Sequence, residues 1–182
     1  MTMAWRKHAQ TPPQPYGTRK PAAAWVLKHG TEMLVEHTWQ VRVSSRPGVD
    51  SDVFVRKQKF TVGAPLQFDA EYSGVTALEQ LLGAFGADLC QGLLRRARRR
   101  RLELDGVEAV VEGRLNNPLA YLDVVGEAGH PGLECLAARV YVSTLHTNDE
   151  LQPVWEEALR LSPLVNTLRN CVKLELSFKS AL

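Results

Sequence analysis

Asp88 is the only formal charge between Glu79 and Arg95, in a stretch that reads Gln-Leu-Leu-Gly-Ala-Phe-Gly-Ala-Asp-Leu-Cys-Gln-Gly-Leu-Leu. A helix that is apolar all round is buried in a core or between subunits. A carboxylate carried into such a place must be paired, hydrogen-bonded or protonated. Given a donor partner, it can be a structural polar contact that fixes register between subunits, anchor the polar end of a ligand or act as a general base. Gln91, three residues on, shares a helical neighbourhood with it. Cys90 is the nearest nucleophile, yet at 100° per residue it points about 200° away around the helix. Asp88 shares its face with Leu81, Ala84, Phe85 and Gly92, and Cys90 lies with Gly86, Leu93 and Ala97. Cys90 is thus an alternative catalytic residue on a different face; a buried free cysteine otherwise behaves as a small inert hydrophobe.

The remaining chemistry-bearing residues are dispersed. The 3 cysteines, Cys90, Cys135 and Cys171, form no CxxC pair, and their odd number argues against a secreted disulfide framework. The 5 histidines (His8, His29, His37, His130, His146) give no HExxH and no pair one turn apart, so no metal and no cofactor is expected. Arg95 to Arg101 contains six arginines around Ala97. Such a run can grip phosphates. Here it falls at a helix end, with Glu103, Asp105 and Glu108 close behind and no RNA-binding aromatic motif. It therefore reads as a solvated terminus complementing the helix dipole, and nucleic acid is not an expected partner. Gly83, Gly86 and Gly92 precede no GK[ST] and lie inside the helix, so close helix packing explains them better than a phosphate loop.

At 182 residues, 45% hydrophobic and 23% charged with a net charge of +2, the chain suits one ordinary globular domain with appendages. Its only apolar stretch near the N-terminus, Ala22 to Leu27, is too short for a signal peptide or a membrane span. The expected location is the cytoplasm, without a membrane.

The elements that must position these residues follow from periodicity. Residues 1–30, with Pro12, Pro13, Pro15 and Pro21, read as a proline-rich arm, and residues 31–182 as the domain. Thr38 to Ser44, Val53 to Val62 and Leu66 to Phe68 alternate as strands, with Arg46-Pro47-Gly48 as a turn. Thr76 and Glu79 form a capping box that opens a helix to about Arg100. Strands are expected over Glu103 to Leu115, Ala120 to Val125 and Leu133 to Leu145. A second capping box, Thr147 and Glu150, opens a helix to about Leu161. Pro163 begins a short turn to Asn170, and Val172 to Phe178 alternates as a last strand. Strands, long helix, strands, helix, strand is an α+β plan.

Two of these segments carry a resemblance. Ala77-Leu78-Glu79-Gln80-Leu81-Leu82-Gly83-Ala84-Phe85-Gly86-Ala87-Asp88 resembles the central-helix motif of the osmotically inducible protein C / organic hydroperoxide resistance (OsmC/Ohr) family, where a similar run leads into a cysteine. Ser162-Pro163-Leu164-Val165-Asn166-Thr167-Leu168 is similar to that family's Cys-Pro-Val-x-x-Thr-Leu near the C-terminus. Order and spacing fit from about Thr38 to Phe178. The resemblance implies antiparallel sheets wrapped around long central helices in an intertwined homodimer. It also implies thiol-dependent reduction of organic hydroperoxides by two cysteines, assisted by an arginine and a glutamate.

Carried over position by position, the first cysteine falls on Asp88, the second on Ser162 and the glutamate on Leu78, with Ala77 in place of the motif proline. The arginine has two candidates on the early strands, Arg42 and Arg56. A carboxylate cannot form a sulfenate and a serine cannot resolve one. The expectation is therefore a non-peroxidatic homologue binding a small, mostly apolar molecule at Asp88 and Ser162, with Leu78, Leu81, Phe85, Arg42 and Arg56 as ligand-binding candidates. The alternatives are a hydroperoxide reductase relocated to Cys90 and an arginine-cluster nucleic-acid binder.

Overall fold

A computed structural model describes residues 39–47, 49–65 and 74–181; the expected arm at 1–30 and the strand at Leu66 to Phe68 lie outside the described residues. Three short strands come first, β1 (Arg42–Arg46), β2 (Val49–Val55) and β3 (Gln58–Val62), paired antiparallel in that order. The single strand expected over Val53 to Val62 is in fact two. Arg56 takes a left-handed φ of 54°, and the chain reverses there so that Val55 pairs with Gln58. No Gly, Asn or Pro announces that turn, and a non-glycine residue at positive φ is uncommon. A bridge from Gly63 to Thr76 ties this sheet to the rest, with Gly63 N–H donating to the Val75 carbonyl at 2.8 Å. A Cβ on Gly63 would stand 2.9 Å from the Gly74 backbone, so only glycine allows this approach.

Helix α1 (Ala77–Arg99) follows, 23 residues opened by the expected capping box: Thr76 Oγ1 accepts from Glu79 N–H while the Glu79 carboxylate accepts from Thr76 N–H. Strand β4 (Gly106–Leu115) leads into α2 (Pro118–Tyr121), where a strand was expected from Ala120 to Val125. The reason is local. The Asn117 side chain accepts from both Leu119 N–H and Ala120 N–H at 3.0 Å, and Pro118 takes the first helical position, which needs no N–H. Strand β5 (Leu133–Ser143), helix α3 (Asn148–Leu161), helix α4 (Pro163–Leu168) and strand β6 (Lys173–Ala181) complete the order. The expected turn after Pro163 is thus a helix.

The second sheet has the order β4-β5-β6. It is mixed rather than antiparallel throughout, because β6 runs parallel to β5 after the crossover through α3 and α4. On β5, Leu136, Ala138, Val140 and Val142 turn inward and are buried, while Arg139, Tyr141 and Ser143 face out. Onto this inner face α1 lays Phe85, Leu89, Leu93 and Ala97, and α3 lays Leu151, Val154, Trp155 and Ala158. Burying each large aliphatic side chain contributes about 1.5–3 kcal/mol, so this cluster holds α1 in place. Trp155 meets Phe178 of β6 with ring centres 5.6 Å apart.

Gly86 sets how closely α1 packs: a Cβ there would meet Val111 Cγ2 of β4 at 3.1 Å, whereas one on Gly92 would make only ordinary contact with Ala158 Cβ of α3 at 3.9 Å. Gly83 faces open space, and Ala77, Ala84, Ala87 and Gln91 on that side are exposed. Among the described residues, then, α1 is covered on two flanks and bare along a third.

Candidate functional site

Asp88 sits midway along α1, half-buried rather than sealed in the core. Opposite it α3 ends and α4 begins at one residue, Ser162, which caps both helices. Ser162 is 5% exposed. Its hydroxyl oxygen accepts from Val165 N–H at 2.9 Å, and its proton goes to Asp88 Oδ2 in a short hydrogen bond. A hydroxyl has one proton to give, and here it goes to the carboxylate. The Asn166 side-chain amide fastens the junction by donating to the Ser162 carbonyl at 2.6 Å and the Arg160 carbonyl at 3.0 Å. The two residues singled out by the motifs, 74 positions apart, are therefore in direct contact.

An open groove of about 470 Å³ borders Asp88, walled by Gln91, Gly92, Leu94, Arg95 and Arg98. Gln91 was expected beside Asp88. Arg95 and Arg98 were not among the candidates, although seven residues on α1 return to nearly the same face and Arg95 stands at that spacing from Asp88. The groove thus offers an acceptor, an amide and two guanidinium groups, a set suited to a small molecule with polar or ionised ends.

The other candidates lie elsewhere. Phe85 is fully buried in the core, and Leu78 and Leu81 are half-buried on α1 outside the groove wall. The Arg42 guanidinium covers the Phe54 ring at 3.9 Å, and Arg56 is exposed at the β2–β3 turn. Among the described residues no hydrogen bond or ion pair links either arginine to Asp88.

Cys90 lines a separate cavity of about 430 Å³ on the opposite flank of α1, with Glu79, Leu82, Gly83, Gly86, Ala87, Ala109 and Val111. The two cavities share no lining residue, as the helical spacing requires. Burial, and secondarily the Glu108 carboxylate, push the Cys90 thiol pKa up. That keeps it protonated at neutral pH, the opposite of what a nucleophilic thiolate needs. Cys90, Cys135 and Cys171 are all free thiols.

The arginine run is less uniform than a solvated terminus. Arg98 and Arg99 are exposed, but Arg96 is 6% exposed, turned toward Glu157 of α3, which also takes a hydrogen bond from Arg100 at 2.9 Å. Among the described residues no group of three or more His, Cys, Asp or Glu could hold a metal ion. No helix there is long and apolar enough to cross a membrane.

No protein-family model matches the chain, and no curated protein matches it. Solved structures do. An OsmC-like protein from Mycoplasma pneumoniae superposes with a TM-score of 0.67 at 15% identity, covering 80% of this chain and 98% of that one. An organic hydroperoxide resistance protein OsmC from Legionella pneumophila gives 0.58 at 15% identity, covering 79% and 99%. The organic hydroperoxide resistance protein OhrB of Bacillus subtilis gives 0.53 at 17%, covering 78% and 98%. With two small sheets, a long helix against one of them and the two motif positions in contact, the chain has the OsmC/Ohr fold.

Proposed function

We propose that this protein is a non-peroxidatic OsmC/Ohr homologue that binds a small molecule in the groove at Asp88. The observation that carries the reading is the Ser162 to Asp88 hydrogen bond. It joins two oxygen side chains at the positions where the motifs resembled here keep their cysteines. Neither side chain can accept an oxygen atom from a peroxide and pass it on as a disulfide. What they can do is recognise: the remaining Asp88 lone pairs, Gln91 and the flanking guanidinium groups engage the polar end of a ligand, while Leu94 supports an apolar part. The wall is more polar than a site for a mostly apolar molecule would be, so an amphiphilic ligand fits it better.

The bare flank of α1 supports a homodimer. Small side chains at Gly83, Ala84 and Ala87 allow a second helix to approach closely. Val41, Val43 and Phe60 are exposed on or beside the first sheet. A second copy would cover these surfaces and deepen the groove.

Two measurements test the reading. Organic hydroperoxide mixed with the protein and a dithiol is expected to disappear no faster than without protein; robust turnover sinks the proposal. Amide NMR shifts on titrating short-chain amphiphiles are expected at Gln91, Gly92 and Val165 and to vanish in Asp88→Ala. If hydroperoxide is turned over and Cys90→Ser abolishes it, the relocated-thiol reading takes its place.

A further inference from the structure

Arg96 is a guanidinium with too few acceptors. Only 6% of it is exposed, and its Nε is buried with no hydrogen-bond partner among the described residues. The nearest carboxylate, Glu157, stands 3.8 Å from that Nε and is already engaged by Arg100 at 2.9 Å. Arg96, one turn beyond Gly92 on α1, lies beside Glu157 of α3. Arg160 follows Glu157 by one turn of α3, and Arg95 and Arg99 flank Arg96 on α1. Burial first, then Arg95 and Arg99, hold the Arg96 pKa below its ordinary value, with Arg160 pressing the same way. Arg96, Arg100 and Arg160 thus act on the single Glu157 carboxylate, with Arg95 and Arg99 beside Arg96.

Such a surplus is costly as it stands, because desolvated charges need partners. Arginine forks match the oxygens of phosphate in paired, charge-assisted hydrogen bonds. We propose that the α1–α3 junction is a binding site for a small polyvalent oxyanion of the phosphate class, held by Arg96, Arg99 and Arg160. The anion supplies the acceptors that Glu157 cannot. A compact cluster around one buried guanidinium favours a short run of up to three linked phosphoryl groups over the extended backbone of a nucleic acid, which needs a stripe of cations. Arg95 also borders the Asp88 groove, whereas Arg99 and Arg160 do not, so substitutions at those two leave that groove intact.

The test is titration calorimetry of the full chain with sodium tripolyphosphate and with inorganic phosphate, against chloride at matched ionic strength. Tripolyphosphate is expected to bind, and the exposed double substitution Arg99→Gln with Arg160→Gln to weaken it by roughly tenfold or more. Glu157→Gln, which removes the competing carboxylate, is expected to strengthen it, and Arg46→Gln, on β1, to leave it unchanged. Circular dichroism checks that each variant is folded. Absence of binding, or equal loss in Arg46→Gln, overturns the site. A single-stranded oligonucleotide that binds more tightly than tripolyphosphate and is released by neutralising Arg98 and Arg101 overturns it in favour of a nucleic-acid surface.

Discussion

Ser162 serves Asp88 and the start of α4 with one hydroxyl, and its replacement should be felt twice. Ser162→Ala removes the donor to Asp88 and the cap on Val165 N–H together. Caps contribute about 0.5–2 kcal/mol and a charge-assisted hydrogen bond about 1.5–3 kcal/mol. Urea unfolding should therefore show a loss of roughly 2–4 kcal/mol. Asp88→Asn, which keeps an acceptor for the Ser162 proton, should cost less, and the double variant should fall short of the sum because the two residues are one unit. At Cys90 the expectation concerns rate. A thiol whose pKa is pushed up by burial and Glu108 presents less thiolate, so iodoacetamide at pH 8 should label Cys171, which is exposed, well before Cys90. The pairing of Asp88 with Ser162 was legible because both stood at motif positions. Arg95 stands seven residues from Asp88, a spacing that returns a helical side chain to nearly the same face. The burial of Arg96 was not legible, since a run of arginines at a helix end gives no sign of which one the neighbouring helix will cover.

Among the elements, α1 and α3 start alike. Both capping-box carboxylates, Glu79 and Glu150, are held below the ordinary carboxylate value of 4.5, first by backbone hydrogen bonds to Thr76 and Thr147 respectively. A carboxylate depressed in the folded state stabilises fully above its unfolded pKa and loses that contribution as pH falls through the folded one. Stability should therefore decline below about pH 4.5, and Glu79→Gln with Glu150→Gln should flatten that acid limb in thermal unfolding followed by circular dichroism. Gly86→Ala should forfeit the roughly 0.5–1 kcal/mol that alanine otherwise gains over glycine in a helix, because its Cβ would press on Val111 at 3.1 Å. Both capped helices and β4, β5 and β6 could be read from the chain within a few residues, since period and cap chemistry agree there. The Arg56 reversal and helix α2 could not. One relies on a non-glycine residue at positive φ, and in the other an Asn-Pro helix start outcompetes an apparent apolar alternation.

For the molecule as a whole, the bare flank of α1 makes assembly the quantity to measure. Light scattering should give the mass of two chains, and Ala84→Glu, charging the exposed flank, should give the mass of one. Gly83→Ala separates the cases further. In an isolated chain it fills open space in a helix interior and should stabilise by about 0.5–1 kcal/mol. Against a closely packed second helix it should weaken the dimer instead.

The parallel strand β6 has a consequence in time. Strand β5 carries the buried centre of the core, yet one of its two neighbours is supplied only by residues 173–181. While the chain is being synthesised, helices α3 and α4 emerge before that partner does. Until Lys173–Ala181 arrives, an apolar strand edge stands open to any other chain that offers a strand. For this protein, the hazard of aggregation falls in the interval before β6 leaves the ribosome.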